Sequence, residues 1–260
     1  MSGAYPRNAV MEGIASGRRS LGLSIRMGRG MEAVAAAKAA GFDWLFLDLE
    51  HGPQSYDQFS QMALGALASG IAPFVRVGGH EPFHANRALT NGALGVFFPH
   101  VDTAEQAAAC AAAARFGPEG IRGVPAIFPH LGFEKPPLSE AAPRMNALTT
   151  VIAMIESGEA IANADAIAAT PGVDILFIGA SDLTVERGKP GAYADPEIRA
   201  AFAAVASACA KHGKVAGFGG VGDPAITAEL FAAGYRFMLA GNDLDLFMLG
   251  AKARVGALRA

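Results

Sequence analysis

Cysteine is nearly absent: only Cys110 and Cys209 occur in 260 residues, each inside an Ala-rich helical pattern. That excludes a disulfide-stapled fold and points to a reducing cytoplasm. No basic run stands out among 21 Lys and Arg against 24 Asp and Glu, and the net charge is −3. Nucleic acid is therefore not an expected partner. No apolar run reaches the ~18 residues needed to span a bilayer. The opening MSGAYPRNAVMEG has no apolar core of signal-peptide length. Charge is also scarce, 17 % of residues against 52 % apolar, which argues against disorder and provides for a sizeable core.

What is present is an alternation. Short apolar runs at 21–25, 44–49, 72–77, 95–101, 151–156, 174–179, 215–219 and 236–240 read as strands. Helical patterns near 30–40, 56–69, 84–91, 103–115, 158–169, 196–212, 224–233 and 243–257 follow them in turn. Asp102 with Glu105 has capping-box spacing, and Asp195-Pro196 and Asp223-Pro224 each place Pro at a first helical position. Eight strands each followed by a helix predict an α/β fold, a (β/α)₈ TIM barrel, with a doubly wound open sheet as the alternative. Continuous apolar runs suit parallel strands covered on both faces. No linker-like shift in composition appears, so residues 1–260 are expected to form one domain, with a long loop or short-helix insertion at about 117–150.

A barrel builds its active site at the C-terminal ends of its strands. Those ends carry Asp48, Glu50 and His51; Arg76; His100 and Asp102; Glu156; Ser181 and Asp182; and Asn242 and Asp243. Glu156 and Asp182 end consecutive strands, which lie about 4.8 Å apart. Two carboxylates so placed repel unless a proton or cation lies between them, and two oxygen donors suit a hard divalent ion. Helix capping by both acids is the other reading. Arg76 in an apolar strand needs a partner: a salt bridge to Asp48 or Glu50, an enolate or carboxylate oxygen of a substrate, or both. His51 is a candidate general base, with Asp48 to orient it.

Two other chemistries are disfavoured. GFGGVG at 217–222 matches a dinucleotide fingerprint, but in the seventh βα unit where that site belongs in the first, so no NAD is expected. Its glycines suit a tight turn. Of six lysines only Lys214 touches a strand, at its N-terminal end, so no Schiff-base lysine is expected and a metal electrophile takes its place.

AGFDWLFLDLEHGP, FVRVG, GVFFPHVDTAEQA, GIRGV, MIESGEAI and GVDILFIGASDLT occur in this order. Together they resemble the HpcH/HpaI aldolase/citrate lyase family of metal-dependent class II pyruvate aldolases, from about residue 20 to 250. The resemblance implies a barrel, a hexamer of paired trimers with a helix exchanged between subunits, and a divalent metal, Mg²⁺ or Mn²⁺ first, with Co²⁺ or Zn²⁺ as further candidates. By resemblance Glu156 and Asp182 are metal ligands, His51 the base, Asp48 its partner and Arg76 the enolate stabiliser. The backbone at Gly179, Ala180 and Ser181 corresponds to the loop that holds the pyruvate carboxylate. The implied reaction cleaves or forms a 4-hydroxy-2-oxo acid through a pyruvate enolate and an aldehyde.

Three positions depart from the family's pattern. Met154 stands where Gln is frequent, Thr90 where an Asp supports the histidine of a neighbouring subunit, and Leu49 where Gly is common. They leave the metal and enolate residues in place and bear on substrate choice and on the strength of the base. A citrate-lyase-like enzyme acting on a CoA thioester and a non-catalytic family member are the alternatives.

Overall fold

The apolar runs become strands because helices cover one face of each and the other faces meet at a common axis. The computed structural model describes residues 7–259; the first six residues, part of the stretch read for a leader, lie outside the described residues. Helix α1 (Ala9–Ala15) precedes a closed parallel barrel of eight strands in chain order. The strands are β1 (Ser20–Ser24), β2 (Trp44–Asp48), β3 (Ala72–Arg76), β4 (Gly95–Phe98), β5 (Thr150–Ile155), β6 (Ile175–Gly179), β7 (Val215–Gly219) and β8 (Phe237–Asn242). Between them run α2 (Met31–Ala39), α3 (Tyr56–Ser69), α4 (Pro82–Thr90), α5 (Ala104–Ala114), α6 (Leu138–Leu148), α7 (Gly158–Ala162), α8 (Ala164–Ala169), α9 (Ala180–Glu186), α10 (Pro196–His212) and α11 (Pro224–Ala232), and α12 (Asp243–Arg259) follows β8. Among the described residues no helix is long and apolar enough to cross a membrane.

Strand alternation divides the core in two. Leu45 and Leu47 of β2 pack outward among the helices, and Trp44 and Phe46 point inward. The interior is aromatic: Trp44 stacks on Phe237 at 4.2 Å, and Phe97 meets Phe177 edge-on at 5.1 Å. Such rings fit only where a facing strand has no side chain. A Cβ on Gly22 would lie 2.2 Å from the Trp44 ring. This apolar fill occupies the barrel and continues into α1 and α6 through Val10, Ile14, Met145 and Leu148, so polar chemistry is confined to the other end.

Two local expectations change, at the α5 cap and in the 158–169 helix, and the structure adds detail at two further places. The capping box before α5 is Thr103 with Gln106, one residue beyond the Asp102–Glu105 pair, because Ser157 Oγ donates to the Asp102 carboxylate. The helix expected at 158–169 breaks at Asn163 into α7 and α8. The 117–150 interval contains a 3₁₀ turn (Pro129–Leu131) and α6, which accommodates Pro143 in its interior while Ala141, Met145 and Leu148 bury its other side. The short α9 begins directly at the end of β6. The Pro-led starts at Asp195 and Asp223 hold, each carboxylate accepting the amide two residues on.

Helices α10 and α12 are both 17 residues long, yet α10 buries six side chains and α12 none. Along α12, Leu244, Leu246, Phe247, Met248, Leu249, Val255 and Leu258 are exposed.

Candidate active site

Alternation along β2 and β3 carries Asp48 and Arg76 inward, and the strand register sets them side by side. Asp48 Oδ1 accepts from Arg76 Nε at 2.9 Å and Oδ2 from Nη2 at 2.7 Å, a two-pronged pair. Oδ2 also accepts from Arg26 Nη1 at 2.9 Å. The amides of Glu50 and His51 donate to Oδ1 at 3.1 and 3.2 Å. Arg76 Nη1 lies 3.0 Å from Glu50 Oε2, and Phe46 lies beneath the guanidinium at 5.4 Å. Burial pushes the Asp48 carboxyl pKa up, but Arg76 and the two amides outweigh it and hold it below the usual carboxylate range. Burial lowers the Arg76 pKa, and the surrounding carboxylates, Asp48 foremost, more than reverse this.

Across the mouth, the residue after β5 is Glu156, 3 % exposed. Its Oε2 accepts the His100 amide at 3.0 Å and lies 3.5 Å from His100 Nδ1. His100 has φ +51, an uncommon conformation for a residue other than glycine. Gly179 faces Glu156, and a Cβ there would lie 2.4 Å from Oε1. Asp182, in the first turn of α9, is exposed. Burial, together with the charge of Asp182, raises the Glu156 pKa against the opposing pull of His100 and Arg76.

Both groups line one cavity of about 410 Å³, with Phe46, Phe177 and Leu239 as apolar lining. Among the described residues no three His, Cys, Asp or Glu side chains form a closed metal cage. The Glu156–Asp182 pair nevertheless fits a hard divalent ion: two carboxylates, one buried and short of positive partners, on an open cavity where water and substrate oxygens complete the shell.

A family model for HpcH/HpaI aldolase/citrate lyase matches residues 28–249. The chain belongs to the HpcH/HpaI aldolase/citrate lyase family. As a member it is an aldolase-type carbon–carbon lyase. It is 38 % identical over 259 residues to the 4-hydroxy-4-methyl-2-oxoglutarate aldolase tasA of Hapsidospora irregularis, covering 96 % of this chain and 94 % of that one. It is 36 % identical over 208 residues to the 5-keto-4-deoxy-D-glucarate aldolase of Shigella dysenteriae serotype 1, covering 80 % of each. An HpcH/HpaI aldolase/citrate lyase family protein from Burkholderia cenocepacia J2315 superposes with a TM-score of 0.88 at 29 % identity, over 97 % of this chain and all of the other.

The HpcH/HpaI barrel gathers Asp48, Arg76, Glu156, Gly179, Ala180, Ser181 and Asp182 at its cavity, along with Met154, which shares the inward side of β5 with Glu156. His51 is not among the lining residues; its side chain is 61 % exposed, with Nε2 3.9 Å from Glu50 Oε2. Asp48 meets His51 through the backbone amide. Both salt-bridge partners expected for Arg76 are present. The GFGGVG turn contributes Gly219, Gly220 and Gly222 to the cavity wall, and Gly220 (φ +89) comes so close to Ser181 that a Cβ would lie 2.8 Å from its Oγ. Lys214 points away, donating to Val173 O at 2.8 Å. Thr90 is the last residue of α4. Sequence reasoning missed Arg26 and Ser24, which line the cavity from β1 and the loop after it. Their signal was the same alternation that marks Asp48: residues 20, 22, 24 and 26 share one parity.

Proposed function

We propose that this protein is a class II, divalent-metal-dependent aldolase that cleaves or forms 4-hydroxy-2-oxo acids through a pyruvate enolate and an aldehyde or ketone. One observation carries the reading: a pinned guanidinium, Arg76, and a buried carboxylate short of positive charge, Glu156, share one cavity. Glu156 and Asp182 would hold the metal, Mg²⁺ or Mn²⁺, and a hard cation bound there supplies Lewis-acid polarisation of a 2-oxo acid.

The chain's own groups account for the rest. The backbone at Gly179, Ala180 and Ser181, at the start of α9, holds the 2-oxo acid's carboxylate. In cleavage, His51, directly or through a water, takes the proton of the 4-hydroxyl. The C3–C4 bond then breaks, its electron pair passes into the pyruvate enolate, and the carbonyl product leaves. Arg76 has five N–H groups. Two donate to Asp48, and Nη1 lies within ion-pair distance of Glu50, which fixes the plane of the guanidinium and leaves N–H groups for the enolate oxygen. Asp48 positions Arg76 and, by accepting the His51 amide on its carboxylate, the backbone of His51.

The active form is a homo-oligomer, a hexamer by the family resemblance, with another copy covering the apolar residues of α12. A cytoplasmic setting fits two free cysteines whose thiols burial pushes up to about 12. Deuterium exchange into the methyl group of pyruvate tests the reading. With Mn²⁺ or Mg²⁺ in D₂O the methyl NMR signal is expected to decay, and EDTA or Glu156→Ala to stop the decay. Absence of exchange with every divalent ion tried sinks it.

A further inference from the structure

We infer that Arg26 recognises a carboxylate on the acceptor half of the substrate, so that this enzyme prefers an anionic carbonyl acceptor to a neutral one. The inference rests on the aldolase function proposed above and adds the group that selects the acceptor.

The loop that carries Arg26 is held in place. Asp243, the first residue of α12, accepts the amides of Arg26 at 2.7 Å, Met27 at 3.0 Å and Gly28 at 2.7 Å. A Cβ on Gly28 would lie 2.4 Å from that of Ala33, so the loop lies flush against α2. Three consecutive amides on one carboxylate fix where the Arg26 stem leaves the backbone, and a binding group held this way loses little freedom when a ligand arrives.

The guanidinium has capacity to spare. Of its five N–H groups, the described contacts engage one, Nη1 on Asp48 Oδ2. Asp48 does not depend on that bond: Arg76 grips both its oxygens and two amides add to Oδ1. Arg26 is thus a second cation on a carboxylate already matched by the first. Its side chain is 39 % exposed and lines the cavity.

Its place in the ring decides what it meets. In a closed barrel of eight strands in chain order, β1 stands opposite β5. A 2-oxo acid held, as proposed, at Glu156 and the start of α9 would find Arg26, Ser24 and Asn242 on the wall across the mouth, where carbons beyond C3 have room to extend. The one carboxylate on that side of the cavity besides Asp48, Asp245, accepts from Asn242 Nδ2 at 2.6 Å while its amide donates to Asn242 Oδ1 at 2.8 Å. Asp245 opposes an incoming anion, and Arg26 is the cation set against it on that wall.

The test compares acceptors matched in size. With Mn²⁺-loaded full-length protein and pyruvate, kcat/KM is measured for glyoxylate against glycolaldehyde, and for succinic semialdehyde against butanal. Wild type is expected to favour the anionic member of at least one pair. Arg26→Gln is expected to cut that preference about 10- to 100-fold, the range for losing a hydrogen bond to a charged group, chiefly through the KM of the anionic acceptor. Arg26→Lys, which keeps a cation beside Asp48, recovers part of it, and Asp245→Asn raises it. Equal losses for both members of each pair, in Arg26→Gln and Arg26→Lys alike, overturn the inference: Arg26 then serves Asp48 alone. Pyruvate methyl exchange without an acceptor separates the two levels. No exchange by wild type removes the aldolase function and this inference with it, whereas exchange with an unchanged acceptor preference removes the role of Arg26 alone.

Discussion

On the β2–β3 side of the mouth, Asp48 and Glu50 share Arg76, Asp48 also has Arg26, and each carboxylate has a cation within 3.0 Å. On the β5–β6 side, Glu156 is as well buried but has the charge of Asp182 as a neighbour and only the His100 amide as a close donor. The first group is balanced from within the chain. The second is not, and burial raises the cost of the imbalance. A stretch of protein that keeps an uncompensated carboxylate pair beside a cavity holds free energy that a cation can release. Under the proposed function, the contrast separates a scaffold for a substrate oxygen from a seat for an ion.

Four measurements can break or sharpen this contrast. The largest effect is on turnover. Glu156→Gln is expected to lower kcat by about 10³-fold, the upper range for losing one charge-stabilising group, while the melting temperature of the metal-free protein holds or rises. Loss of folding in that variant would put Glu156 on the balanced side and break the contrast.

Asp48→Asn is expected to do the reverse, removing about 3–5 kcal/mol of stability in urea titrations because the buried Arg76 loses its two-pronged partner and keeps only the ion pair with Glu50. A loss below about 1 kcal/mol, the scale of an exposed ion pair, means the pair is open to solvent. Third, Mn²⁺ at 100 times its Kd is expected to add about 2.7 kcal/mol to wild-type stability. EDTA should reverse the gain, and Glu156→Gln should not show it.

The smallest effect comes from a buried base outside both walls. Burial holds the His130 pKa down to about 4, with Nε2 2.9 Å from Ala93 O. Below its unfolded value of 6.5 the unfolded chain takes up a proton that the folded one refuses. Stability therefore falls as pH drops from 6.5 toward 4 and levels off beneath, a loss of about 2 kcal/mol by pH 5. His130→Gln is expected to flatten that slope. An unchanged slope rules out His130 as its source; Asp48 acts lower, its stabilising contribution being fully present above its unfolded value of 3.8 and lost only as pH falls from there through its lowered pKa.

Most of the fold was legible because period and punctuation carry it. All eight strands lie within three residues of their expected ends, and α3 and α10 match to the residue. What escaped was short or disguised. α9 is seven residues long, and α6, in an interval read as a long loop or short-helix insertion, had no bounds drawn because prolines flank and interrupt it. In the site, strand ends located Asp48, Arg76 and Glu156, since a charge after an apolar run is conspicuous. The Arg76 salt bridge to Asp48 or Glu50 was legible too, but the rest of the partnership was not. Nothing in the order of residues says that Asp48 spends its side chain on two arginines and reaches His51 only through the main chain. Arg26 escaped because SIRMGRG looks like a basic loop unless the parity of β1 is carried two residues past its end.

The carboxylate of Asp243 has a consequence for the proposed oligomer. It begins α12, the helix that buries nothing in its own barrel, and it grips the amides from which Arg26 departs. Whatever seats α12 therefore also sets the stance of Arg26. In the proposed oligomer, quaternary structure and the proposed acceptor choice share one fastening, so dilution of the enzyme should blunt its discrimination between acceptors before it unfolds the barrel.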